Sequence, residues 1–418
     1  MSESTGPSTG LSRRLVLLLA VTCGVAVGNL YFPQAVTPLI AEGLGAAPES
    51  AAMAATAAQL GYSAGILLLV PLGDRLPNRP LISGLLALTG LFLLAAGLSP
   101  ALGVLVAAGG LVGTATVAAQ LIAPMAAGLA AEDRRGQVMG TLLSGSIGGI
   151  LLARGFGGVL ADHLGWRAPY LVAAVAVLLL AAVLALVLPA TAPSTRRSYP
   201  SLVGAALRLL RTEPDLRRSC LYQGCVFGAF SAAWTGMALV VTGPVYGLNA
   251  STVGVMALVA GVTMVLTPAA GRWVDRSGPD AVGLVCMLGA LASAGVLALG
   301  SAGGAAGLAA LTGGILLLDV AMQSGMVANQ SRIFALRPDA RSRINTAYMT
   351  CAFLGGTTGS WLGVQAHALV GWPGVCAVAA LLCATALARH LVHLRAGRGA
   401  GPVLPADQAR GEAADPGV

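Results

Sequence analysis

Gly313-Gly-Ile-Leu-Leu-Leu-Asp319-Val-Ala-Met-Gln323-Ser-Gly-Met-Val-Ala-Asn-Gln330-Ser-Arg332 puts one carboxylate inside an apolar run long enough to lie in a bilayer. An aspartate near the middle of a membrane helix costs roughly 3 kcal/mol on insertion scales, so Asp319 is expected to face a bundle interior or a wet cavity, not lipid. At 100° per residue, Gln323 and Gln330 fall within about 60° of Asp319, and one polar stripe runs down the helix. An ionisable group in such a place reads as a functional site. The competing reading is a structural carboxylate bonded to a neighbouring helix.

Working outward, the 418 residues are 56% apolar and only 10% charged, with 57 glycines and a mean hydropathy of +0.82. These values describe an all-α, polytopic protein embedded in a lipid bilayer. The 24 basic residues are all arginine, and apart from Arg154 and Arg167 they sit in the tails or in alternate loops. The net charge of +8 therefore reports membrane orientation, and no nucleic-acid partner is expected. Seven cysteines without C-x-x-C spacing suggest neither a metal site nor a disulfide framework, and no cofactor is called for. Ser12-Arg13-Arg14 before an apolar run resembles an export signal, but the run continues to Ile40 and reads as a retained first span.

Apolar runs of about 20 residues predict about twelve spans, near 15–40, 51–72, 81–98, 102–129, 138–160 and 169–188, then 221–246, 252–270, 281–299, 305–328, 344–364 and 371–391. The loops after even-numbered spans carry the arginines, which places both termini in the cytoplasm. The chain divides into a tail (1–12), a six-helix bundle (13–189), a cytoplasmic linker (190–219) with a surface amphipathic portion around 202–210, a second six-helix bundle (220–395) and a disordered tail (396–418). A shift of 206 residues superimposes Asp133, Arg135, Gly149, Gly157, Gly165 and Trp166 on Asp339, Arg341, Gly355, Gly363, Gly371 and Trp372 without a gap. A second echo sets Asp74-Arg75 against Asp275-Arg276. Two parallel six-span copies joined by a long loop are the pattern of a transporter whose halves rock about a site between them.

The pattern is similar to the major facilitator superfamily over about residues 13–395. The sharpest match is Val70-Pro-Leu-Gly-Asp74-Arg75-Leu-Pro77-Asn-Arg79, which looks like that family's G-x-L-A-D-R-x-G-R-R loop, with Val70 and Pro77 where glycines are usual. The resemblance implies a conformational switch formed by Asp74, Arg75 and Arg79 and, in the second copy, by Asp275 and Arg276. Within the superfamily the chain resembles bacterial drug:proton antiporters with twelve spans, and an uncharacterised bacterial branch near them that has N-x-Y-x-x-Q in span one, here Asn29-Leu-Tyr31-Phe-Pro-Gln34. It departs from those antiporters in two places: Gly109 stands where many have an arginine, and the fifth span, Gly145 to Gly158, lacks the proline of their G-P-x-x-G-G element.

In that family spans one, four, seven and ten line the cavity. The matching residues are Asn29, Tyr31 and Gln34; Thr116 and Gln120; Tyr222, Gln223, Trp234 and Thr235; and Asp319 and Gln323. Arg154, the other charge within a span, is a candidate substrate contact or counter-charge, or else a donor to helix carbonyls. Counting from the expected span ends puts it roughly 15 Å from Asp319 in depth, which favours separate roles. Gly145, Gly149, Ala153 and Gly157, echoed by Gly355, Gly359 and Gly363, form small-residue seams expected at the moving interface. Gly61-Tyr-Ser63-Ala-Gly65 matches G-x-S-x-G but lies inside an apolar span, so helix packing is expected of it and no enzyme activity. His390 and His393 read as surface residues.

The expected function is a monomeric inner-membrane exporter of a small amphipathic or drug-like molecule, driven by proton entry through Asp319. Apolar walls with few polar groups suit such a substrate better than a sugar or phosphate. A metabolite importer and a membrane sensor on a transporter fold are the alternatives.

Overall fold

In the computed structural model the described residues are 11–131, 134–189, 195, 198–337 and 340–399; the tails, most of 190–197, Asp133 and Asp339 lie outside them. The first half comprises α1 (Arg13–Gly28), α2 (Phe32–Leu44), α3 (Pro48–Leu68), a 3-10 turn (Val70–Asp74), α4 (Asn78–Gly97), α5 (Leu102–Ala115), α6 (Ala118–Leu129), α7 (Arg135–Leu164) and α8 (Arg167–Val187). After α9 (Tyr199–Thr212) come α10 (Pro214–Thr242), α11 (Ala250–Val259), α12 (Val262–Ala298), a second 3-10 turn (Leu299–Ala302), α13 (Gly304–Leu336), α14 (Arg341–Val370) and α15 (Trp372–Gly399).

Nine helices among the described residues are long and apolar enough to cross a membrane, and α1 with α2, bent by 40°, makes a tenth. The break falls at Asn29–Tyr31, where Pro33 in the first turn of α2 supplies no backbone N–H to continue the ladder from α1. The other two of the expected twelve are interrupted or diluted. One is α11 with the start of α12, broken at Ala260–Gly261; α12 itself turns at Gly278, whose φ of +79° suits glycine, just before Pro279. The other is α14, 30 residues long but rich in hydroxyl side chains. Thr346, Thr357 and Thr358 each bond the carbonyl four residues before, which satisfies them without water.

Within the first half α1 packs on α7, α3 on α5 and α4 on α8; within the second, α10 packs on α14, and α12 on α13 and α15. The halves meet along α3–α14 and α7–α11, two contacts related by the repeat. The apolar stretch of α10 is almost wholly buried and that of α8 mostly exposed, so α10 runs through the centre and α8 faces outward.

The glycine seams differ from the expectation. Gly145 and Gly149 of α7 lie against Ala20 and Gly24 of α1, and Gly355 and Gly359 of α14 against Gly224 and Gly228 of α10, so both seams are inside a half. They let α7, which carries Arg154, and α10, which carries Trp234, each approach a neighbouring helix to backbone contact. The glycines between the halves are others: Gly155 and Gly158 face Gly254 and Ala250. Beside them Ser251 N–H donates to Asp162 Oδ2 at 2.8 Å.

Amphipathic α9 also lands differently. Its Leu202, Ala206 and Leu209 are buried, and the last two join Leu216, Ile333, Ile344 and Tyr348 in one apolar cluster, so its apolar face covers protein.

Candidate functional site

The break between α1 and α2 places Tyr31 at the head of α2 and Gln34 one turn in, both buried. Arg154 of α7 reaches across to them. Its Nη2 donates to Gln34 Oε1 at 2.9 Å, and its guanidinium lies 4.8 Å from the Tyr31 ring centre. From the second half, α10 contributes Trp234 at 3.9 Å and Phe230 at 5.5 Å. Three ring faces thus surround a cation that is 2% exposed, a stacking arrangement that suits the flat, weakly hydrated guanidinium.

Asp319 of α13 is 6% exposed and lies beside the Trp234 indole N–H, within electrostatic reach of Arg154 and Tyr31. Neither Asp319 Oδ2 nor Trp234 Nε1 closes a hydrogen bond, and Arg154 Nε and Gln34 Nε2 are likewise unpartnered. The depth difference expected between Arg154 and Asp319 is overturned, since both border Trp234. Helix midpoints explain it. Asp319 is one residue from the middle of α13, whereas Arg154 is between four and five residues from the middle of α7, about 7 Å at 1.5 Å per residue. A long arginine side chain spans that offset.

Thr235, next to Trp234, bonds Ser360 Oγ of α14 at 3.1 Å, and Ser360 bonds Thr56 of α3 at 2.9 Å, a hydroxyl chain joining the halves. Thr116 donates to Ala26 O at 2.8 Å and ties the α5–α6 break to α1. Gln120 Nε2 donates to the Tyr62 hydroxyl at 3.2 Å. Tyr62 meets Phe353 edge-on, Phe353 meets Phe227, and Phe227 stacks on Phe230, so an aromatic row runs from Gln120 to the Arg154 box. Gln323, one turn after Asp319, is half-buried.

Three expected cavity residues stand apart. Asn29 lines an apolar groove of about 630 Å³ between α1, α7 and α8, beside the exposed Leu17, Val21 and Phe156. Tyr222 and Gln223 belong to a polar cluster nearer the linker end of α10. There Asp280 Oδ1 accepts from Arg332 Nη2 at 2.7 Å and Arg218 Nη1 at 3.2 Å. Arg332 Nη1 donates to Asn329 Oδ1 at 2.9 Å, and Gln223 Oε1 accepts from Tyr348 at 3.0 Å and from Asn329 at 3.4 Å. His390, expected at the surface, is fully buried: Nδ1 is 3.2 Å from the Tyr222 hydroxyl and Nε2 is 3.0 Å from Asp280 O. Helix α15 packs its inner face on α10 and α12, and His390 is on that face.

A sequence profile of the Major Facilitator Superfamily matches residues 17–360. The chain belongs to this superfamily. It is 35% identical over 378 residues to the uncharacterized transporter YgaY of Escherichia coli O157:H7, covering 90% of this chain and 95% of that one. It is 36% identical over 375 residues to the probable transporter SCO4007 of Streptomyces coelicolor, covering 90% and 86%. As a member of the superfamily the chain is a multi-pass membrane transporter.

The superfamily loop after α3 forms the 3-10 turn. Arg79 Nε donates to Ala185 O at the end of α8, 2.6 Å away, and Asp74 O accepts from the Thr195 backbone. Arg75 is exposed, as are Asp275 and Arg276 on α12. In the second half the pairing of the buried Arg218 and Arg332 falls instead to the partly exposed Asp280, a residue the sequence reading missed. A signal for it existed: the 206-residue shift that aligns the later spans also carries Asp74 onto Asp280, whereas the Asp275 pairing needs a different offset. Gly61 and Gly65 abut Gly110 and Thr114 of α5, and Ser63 donates to Thr350 O at 3.1 Å, so that stretch packs helices.

Proposed function

We propose that this chain is a secondary active transporter that exports a small amphipathic molecule by alternating access in exchange for protons. The observation that supports it is the buried group of Arg154, Trp234 and Asp319, in which opposite charges from the two halves border one indole. A site built from both halves is exposed to one side or the other as they rock, and two buried charges make its occupancy respond to protons and to charged ligands. The carboxylate of Asp319 takes a proton when the cavity opens to the acidic side. When the cavity opens inward, water and a cationic substrate group favour the charged form and the proton leaves. Tyr31, Gln34, Trp234 and Arg154 form the wall of the site; Thr116, Gln120, Thr235 and Gln323 flank it. The protein works as a monomer in the cytoplasmic membrane of a bacterium, with both termini inside. The switch consists of Asp74, Arg75 and Arg79 in the first half and the stretch from Asp275 and Arg276 to Asp280 in the second.

The test uses inverted membrane vesicles with and without an imposed pH difference. Asp319→Asn is expected to keep substrate exchange and to lose accumulation against a gradient. A pH difference of one unit corresponds to about 1.4 kcal/mol, so one proton per substrate gives about tenfold accumulation, which the variant loses. An Asn variant still driven at the parental level removes Asp319 as the coupling site, and accumulation in the opposite direction favours an importer.

A further inference from the structure

The charges of the central site differ in sign and come from different helices of different halves, and each has incomplete partnering. Arg154 has one amide oxygen, Gln34 Oε1, and three ring faces, none of which carries a negative charge. Its Nε and Gln34 Nε2 are two buried donors without an acceptor, while the Trp234 indole N–H lies on the Asp319 side. Across the indole, Asp319 Oδ2 is a buried acceptor without a donor. Burying a polar group without a partner is costly and burying a charge more so, so a site of this composition binds best what supplies the missing partners.

We propose that the transported molecule is a zwitterion with an apolar body, its anionic group held by Arg154 with Gln34, and its cationic group held by Asp319. The coupling half of this statement rests on the exporter reading; the charge assignment rests on the geometry. A molecule bearing only a cation brings a second positive charge beside Arg154 and leaves Arg154 Nε and Gln34 Nε2 unmet. A molecule bearing only an anion meets the donors but adds a negative charge near Asp319, so it binds with the proton and travels in the same direction. A zwitterion meets both sides at once. Its cationic end then competes with the proton for one carboxylate, which is the requirement for exchange. When the proton has taken its place, Gln34 and the faces of Tyr31, Phe230 and Trp234 retain the guanidinium. The same ring faces offer the body of the ligand an apolar, aromatic surface.

The experiment uses matched triads of one apolar body bearing an amine, a carboxylate or both: phenethylamine, 3-phenylpropionate and phenylalanine; tryptamine, indole-3-propionate and tryptophan; isoamylamine, 4-methylpentanoate and leucine. Binding to the purified full chain is read as ligand-dependent thermal stabilisation. In at least one triad the zwitterion is expected to bind about tenfold or more tighter than either partner, as loss of one contact to a desolvated charge predicts. Arg154→Gln is expected to abolish its advantage over the amine, and Asp319→Asn its advantage over the acid. Arg154→Lys, which keeps the charge, retains the preference at lower affinity and shows that the site is folded. The proposal is overturned if no zwitterion outranks its partners, or if the amines bind best and Arg154→Gln leaves them unaffected; proton exchange measured with an amine then still stands. Zwitterion preference without pH-driven uptake supports the ligand class and rejects the coupling.

Discussion

Two adjacent glycines of α7 give opposite expectations for the same substitution. At Gly149 an added Cβ meets the carbonyl O, C and Cα of Gly24, all backbone atoms that no rotamer change can move aside. At Gly148 nothing lies within 4 Å of the added Cβ. Alanine in place of glycine inside a helix contributes about 0.5–1 kcal/mol through lower backbone entropy, and Gly148→Ala should show that gain. Gly149→Ala receives the same gain but must push α1 from α7, an overpacking cost of typically 1–3 kcal/mol. The upper end is expected, because the same separation also loosens Gly145 against Ala20 and Gly28 against Ala153. The two variants should differ by about 3 kcal/mol. Fluorescence-detected size exclusion after a series of heat steps, on protein in one detergent, reads this as separated melting curves in the order Gly148→Ala, parent, Gly149→Ala. Gly359→Ala, whose Cβ meets Gly228 backbone, should behave like Gly149→Ala. Superimposable curves for the two α7 variants would refute the backbone-to-backbone seam.

Asp280→Asn removes the carboxylate shared by Arg218 and Arg332, which are 6% and 7% exposed, and should lower the melting temperature clearly, whereas Asp275→Asn on the exposed face of α12 should leave it unchanged. Trp372→Phe gives up a buried 2.7 Å bond from Nε1 to Leu297 O and should cost about 1 kcal/mol; its repeat mate Trp166, whose Nε1 has no partner, should cost less, and equal losses would count against the hydrogen-bond assignment. Ser360→Ala breaks the hydroxyl chain from Thr56 to Thr235 across the halves, worth about 1 kcal/mol, and should shift the balance of conformations about fivefold; cysteine accessibility at the α3–α14 contact measures it, and an unaltered pattern would sever that chain from the switching motion.

The membrane class and the two halves were legible because they depend on averages: apolar run length and a gapless 206-residue echo survive errors in any one boundary. Single-residue geometry was less legible. The depths of Arg154 and Asp319 were counted from the polar ends of the runs, but α13 continues 33 residues, well beyond the apolar run assigned to it, so its midpoint lies elsewhere. Phe230 could not be singled out within an apolar span, since its importance comes from an arginine on a different half. His390 looked like a surface group because it follows Arg389 near the chain end; only the packing of α15 on α10 and α12 shows which face carries it.

The same repeat shows what is particular to the site. The 206-residue shift sets Arg154 opposite Ser360 and Asp319 opposite Gly113. Neither charge, therefore, is required by the duplicated scaffold, and the mates have structural work of their own. Gly113 lets α5 come against Ala58 and Tyr62 of α3, where a Cβ would strike backbone, and Ser360 joins the two halves by hydroxyl bonds. Arg154 and Asp319, one from each half and opposite in sign, converge on Trp234. Two unrepeated charges give the centre of a duplicated scaffold a polarity that a symmetric site could not have.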